Sequence, residues 1–145
     1  MRARTQFSTI VIIVFLLAGW TAAQENSNVK INKVPAPQTS PASGQEMYES
    51  YCASCHGKAA NGSGPAAPAL KVQPADLTAL AKKNGGKFPA DHVASVLSGA
   101  GVAAHGSAEM PVWGPVFRKL SSGDRAQVQQ RIANLTQYLE SLQVK

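Results

Sequence analysis

Five aliphatic side chains near the end of the chain, Val128, Ile132, Leu135, Leu139 and Leu142, recur at spacings of 4, 3, 4 and 3. That repeat marks one face of an α-helix and predicts a long C-terminal helix opened by the Ser121 to Asp124 turn. A shorter stripe, Val93, Val96 and Leu97, follows Pro89 and Asp91 and stops at Gly99, which predicts another helix. Asp76 to Ala81 predicts a short one, with Lys82 and Lys83 at its negative end and Gly85 available beyond it. Ser43-Gly44-Gln45-Glu46 reads as a capping box and starts a helix that runs into residues 51–57. No stretch sustains the two-residue alternation of a half-buried strand, and no internal repeat is visible. The expected class is all-α, with Gly- and Pro-rich connections.

The apolar run from Ile10 to Ala18 has a different character. Arg2 and Arg4 precede it, and Gly19-Trp20-Thr21-Ala22-Ala23 closes it, which is the layout of a secretory signal with cleavage before Gln24. A spanning helix needs about 20 apolar residues, so a membrane anchor arises only if this segment stays uncleaved. Residues 24–43 mix Asn, Ser and Gln with three prolines and few apolar side chains, and read as a flexible linker. Residues 44–145 have the length of one small domain with a modest core.

The formal charge of +6 shrinks on inspection, because Arg2 and Arg4 belong to the signal and Lys30 and Lys33 to the linker. The domain itself carries ten Lys or Arg against seven Asp or Glu, without the dense basic face and interleaved aromatics of a nucleic-acid binder. Its charge is uneven: Lys58, Lys71, Lys82, Lys83 and Lys87 face only Asp76 between residues 58 and 87. Such a run is either solvated surface or a docking patch for an acidic partner.

Both cysteines of the chain stand in Tyr51-Cys52-Ala53-Ser54-Cys55-His56-Gly57. A redox dithiol would need a thioredoxin-like βαβ background, for which no strands are predicted. A zinc site would need four ligands, and neither His92 nor His105 has a second ligand beside it. The third reading is covalent haem attachment, in which both thiols add across the vinyl groups and His56 is delivered beneath the iron. One such motif implies one haem c per chain. Attachment takes place outside the cytoplasm in bacteria, in keeping with the export signal.

From Gly44 onward the chain resembles the class I c-type cytochromes. Gly44-x3-Tyr48-x3-Cys52-x2-Cys55-His56 is similar to the family's N-terminal helix. Leu135-Thr136-Gln137-Tyr138 resembles the aliphatic and aromatic pair of its C-terminal helix, which packs onto that glycine. Pro68, twelve residues past His56, resembles the proline whose carbonyl accepts the Nδ1–H of the axial histidine. Met110-Pro111-Val112-Trp113-Gly114 resembles the distal segment, with Met110 as the second axial ligand and Trp113 packing near the haem. His105, five residues before Met110, and His92 are the competing donors. Met47 precedes the motif on the same helix and is excluded.

The resemblance implies a small cytochrome c fold, with crossing N- and C-terminal helices and the haem in a central crevice. It also implies a periplasmic, monomeric, single-electron carrier rather than an enzyme, exchanging electrons with a redox donor and acceptor that dock weakly. The alternatives are a haem subunit of a periplasmic dehydrogenase or oxidase complex, and a haem sensor with an exchangeable distal ligand.

Overall fold

The computed structural model describes residues 34–100 and 110–144; the signal segment, the first part of the linker and His105 lie outside these ranges. Among the described residues there are six α-helices and no strand, as the absence of alternation predicts. α1 (Gly44–Tyr51) and α2 (Ala53–His56) are nearly continuous, broken only at Cys52. A 3-10 turn over Leu77–Ala79 leads into α3 (Leu80–Lys83), followed by α4 (Ala90–Ser98), α5 (Trp113–Leu120) and the long α6 (Arg125–Ser141). No helix of the described residues is long and apolar enough to cross a membrane.

The caps explain the boundaries. Ser43 Oγ accepts from the Glu46 amide at 3.1 Å, but the Glu46 carboxylate accepts from the Ser40 amide rather than closing the reciprocal box on Ser43. Asp124 accepts from the amides of Ala126 and Gln127 and so opens α6. α4 ends on Gly99 in the left-handed region, at φ 90°. α5 is absent from the sequence reading because Gly114 and Pro115 look like helix breakers. Both fall in its first turn, where amides have no partner inside the helix and a proline therefore costs little.

The core forms where α1 crosses α6. Met47, Tyr48, Leu135 and Phe117 are fully buried there or close by, and the rings of Tyr48 and Tyr138 lie 5.5 Å apart. Gly44 makes the crossing possible: a Cβ at that position would collide with the Asn134 carbonyl oxygen and come within 2.7 Å of Tyr138 Cβ. Gly114 performs the same service for α5, whose first turn lies against the Ser98 carbonyl at the end of α4. The α6 stripe is buried from Val128 to Leu139 as its spacing predicts, with Leu142 half-buried at its end and two polar additions, Thr136 and Arg131, the latter at 2% exposure.

The expectation of a flexible linker through residue 43 needs correction at its C-terminal end. Thr39 is buried, and its hydroxyl and carbonyl accept from Arg131 Nη1 and Nη2, each at 2.9 Å. The Asn134 amide donates to the Pro41 carbonyl, and the Tyr51 hydroxyl donates to the Pro37 carbonyl at 2.7 Å. Residues 37–43 are therefore a strap across α1 and α6, attached by polar side chains that a composition-based linker reading does not weigh. The same contacts occupy Asn134, whose Asn-Leu-Thr triplet resembles a glycosylation acceptor.

A second attachment lies at the other end of α6. Gln143 accepts from the Ala81 amide at 2.8 Å and donates to the carbonyls of Leu77, at 2.7 Å, and Leu139, at 2.8 Å. One side chain thus ties the 3-10 turn and α3 to α6. Gln143→Ala is expected to cost about 1–2 kcal/mol in denaturant-unfolding free energy, because the partners it leaves are partly shielded from water. A loss within error would show that apolar packing and the Val144 amide, which donates to the Thr78 carbonyl at 3.0 Å, suffice to hold the segment.

Candidate functional site

The motif helix places its chemistry on one wall of an apolar crevice of about 380 Å³. Cys52, Cys55 and His56 all line it, since positions three and four apart share a helix face. Tyr48 fixes the turn behind them by donating to the Gly57 carbonyl at 2.6 Å. Burial, followed by the nearby Cys52 and Tyr138, pushes the Tyr48 phenol well above its usual range, so it remains a donor. Burial, followed by Cys55, pushes the Cys52 thiol up to about 12. At neutral pH the free thiol of Cys52 is therefore protonated and is not an attacking thiolate.

His56 is buried, and its Nδ1 lies 2.9 Å from the Ala75 carbonyl oxygen. A carbonyl only accepts, so Nδ1 carries the proton and the lone pair resides on Nε2. The expectation that the Pro68 carbonyl takes this role is corrected. Pro68 is exposed, inside a 3-10 turn over Ala67–Ala69, and is not part of the crevice wall. The loop instead brings Pro74 and Ala75 against the histidine, helped by Gln73, which donates to the Gly62 carbonyl at 2.6 Å. Counting residues from His56 does not separate two prolines in one Gly- and Pro-rich loop.

The remaining walls are apolar. Leu77 and Leu80 come from the segment that Gln143 holds, and Val93, Val96 and Leu97 from α4. Asp76 caps the 3-10 turn, with its carboxyl held below the usual carboxylate range first by the Thr78 hydroxyl and next by the Thr78 amide. Met110 is half-buried and lines the same crevice as His56. Trp113, 6% exposed, also lines it and stacks on Tyr51 with ring centroids 5.2 Å apart. Tyr51 is thus part of an aromatic row with Trp113 and Phe117. His92 stands exposed at the rim on α4. Met47 is fully buried in the core and does not line the crevice.

The donor set suits a haem. Two thiols, an imidazole with its lone pair on Nε2 and a thioether converge on one apolar crevice, and among the described residues no cluster of three or more His, Cys, Asp or Glu could hold a bare metal ion. An all-helical fold closed by crossing terminal helices around such a crevice defines a small c-type cytochrome domain. Residues 39–130 match the family described as Cytochrome C oxidase, cbb3-type, subunit III, and the chain belongs to that family. No curated protein and no solved structure matches it. Membership brings covalently bound haem c and haem-based electron transfer, with export from the cytoplasm as a property of c-type cytochromes.

Proposed function

We propose that the chain is a monohaem electron carrier of the periplasm, with Cys52 and Cys55 as thioether anchors and His56 and Met110 as axial ligands. The observation that carries this reading is the bond from His56 Nδ1–H to the Ala75 carbonyl, in a crevice that also admits both cysteines and Met110. That bond fixes the ring and makes Nε2 a better donor. A haem c held there supplies a one-electron ferric/ferrous couple. Met110 would offer the iron a soft sulfur, which favours the ferrous state and would leave no ligand place open to oxygen or peroxide. The apolar walls act in the same direction, because they disfavour the net charge of the ferric state. Residues held by α1, α4 and α6 move little when an electron arrives, and transfer then proceeds without transforming a substrate.

The decisive experiment is intact-mass analysis of the exported protein together with a redox titration. A mass increment of one haem and a reversible one-electron couple are expected. A chain of unmodified mass with two titratable thiols would overturn the proposal. A second reading, the haem subunit of an oxidase complex, is favoured by the family description, which is that of an oxidase subunit. Co-purification with a larger redox protein that survives high salt would select it over the free carrier.

Lys58, Lys71, Lys82, Lys83 and Lys87 are all exposed, which suits a docking surface for an acidic redox partner. Lys82→Glu with Lys83→Glu is expected to slow electron exchange with that partner about tenfold at low ionic strength and little at high salt. Unchanged rates at low salt would return these lysines to plain solvated surface.

A further inference from the structure

Arg131 is the feature of the fold that the site, as described, does not use. It is a guanidinium at 2% exposure on the core face of α6, and its described partners are all neutral. Nε donates to Ser121 Oγ at 3.2 Å, Nη1 to Thr39 Oγ1 and Nη2 to the Thr39 carbonyl. A guanidinium keeps its charge inside a protein, and a buried charge normally meets an opposite one. A methionine or leucine at this position would fill the stripe with no charge to bury. The cation is therefore an expensive choice for anchoring a strap.

The hydrogen bonds lead from this cation toward the crevice with one polarity. Thr39 Oγ1 accepts from Arg131, so its own proton is directed to Tyr51 Oη at 2.6 Å, and Tyr51 in turn donates to the Pro37 carbonyl. Every bond in the row points away from the guanidinium, and such rows polarise cooperatively. Tyr51 lines the crevice, precedes Cys52 and stacks on Trp113. Two hydrogen bonds and one ring are all that separate the charge from the cofactor wall.

We propose that Arg131 sets the reduction potential of the haem: its uncompensated buried charge disfavours the ferric state and raises the midpoint. The inference rests on the electron-transfer reading above. With two neutral axial ligands the iron and porphyrin gain a net positive charge on oxidation, and a fixed cation across a low-dielectric interior opposes that gain. Thr39 and the strap shield the cation from water, so residues 37–43 belong functionally to the haem site.

The test is a redox titration of the full holo-protein and three variants. Arg131→Met deletes the charge and Ser121→Asp pairs it; each is expected to lower the midpoint. The size is about a tenfold shift in the ferrous-to-ferric ratio at a fixed electrode potential, or about 59 mV for a one-electron couple. Arg131→Lys keeps the charge but loses the fan of donors, and is expected to hold the midpoint while lowering the unfolding temperature. A purely structural Arg131 would lower stability in the variants and leave the midpoint unchanged in all of them. An unchanged midpoint in Arg131→Met or in Ser121→Asp, with the wild-type haem spectrum, overturns the proposal. If Arg131→Met does not fold, the paired variant decides alone. Failure of the underlying reading has its own signature, the absence of any reversible couple in the wild-type protein.

Discussion

Met110→Ala is expected to give a folded, haem-bearing protein whose ferric form has lost the weak near-infrared sulfur-to-iron band and whose ferrous form binds carbon monoxide at neutral pH. Met110 is half-buried and packs at the edge of the core cluster, so its truncation costs about 1–2 kcal/mol and leaves the fold standing. The spectroscopic effect is all or none because the crevice has little to offer in its place. Leu77, Leu80, Val93, Val96 and Leu97 present only hydrocarbon. The one other nitrogen donor on the described wall besides His56 is His92, at the rim. Met110→Ala with His92→Ala therefore provides the control: a low-spin spectrum in the single variant that becomes high-spin in the double identifies His92 as a substitute ligand. Persistence of the near-infrared band in Met110→Ala would remove Met110 from the assignment. Carbon monoxide binding to the unmutated protein would do the same for the closed site.

Legibility in the sequence followed physical type. Periodic apolar faces were readable: the stripes of α4 and α6 depend on spacing alone, and both face inward where the spacing puts them, with Val96 and Leu142 half-buried and the rest buried. The gathering of Cys52, Cys55 and His56 on one wall was equally readable, because it needs only a helical turn. Contacts between a loop and a distant side chain were not. The acceptor for His56 depends on how Gly62, Gln73 and Pro74 fold the loop, which residue counting cannot resolve, and so Ala75 takes the place expected of Pro68. Arg131 was hidden for another reason. It stands three residues after Val128, on the same face, but a charge within a stripe is ordinarily read as the stripe's edge. Its burial depends on Thr39 and Ser121, the former 92 residues away in a segment whose composition reads as linker. Gln143, beyond the last periodic position, carried no pattern at all.

Gly44→Val is expected to be the most damaging single substitution outside the crevice, with a loss of about 3 kcal/mol or more in unfolding free energy. Local propensity argues the other way, since replacing glycine within a helix by a residue with a Cβ ordinarily favours the helix by a few tenths to about 1 kcal/mol. Any loss must therefore come from the crossing. There the first added carbon already overlaps the Asn134 carbonyl oxygen and Tyr138 Cβ, and a backbone carbonyl in mid-helix has no rotamer by which to retreat. α1 has to back away from α6 and take Tyr48 with it. Tyr48 holds the Gly57 carbonyl, so the displacement reaches the turn that seats His56, and a weakened ligand field should accompany the loss of stability. Gly85→Ala separates this steric cost from ordinary backbone strain: its φ of 65° disfavours a side chain, yet nothing lies within 4 Å of the added carbon. That variant should lose only about 1 kcal/mol. Since small domains are stable by about 5–15 kcal/mol in total, the two outcomes are readily resolved by denaturant titration. Equal losses in the two variants would mean that the helices tolerate separation, and that Gly44 is not what closes the fold around the haem crevice.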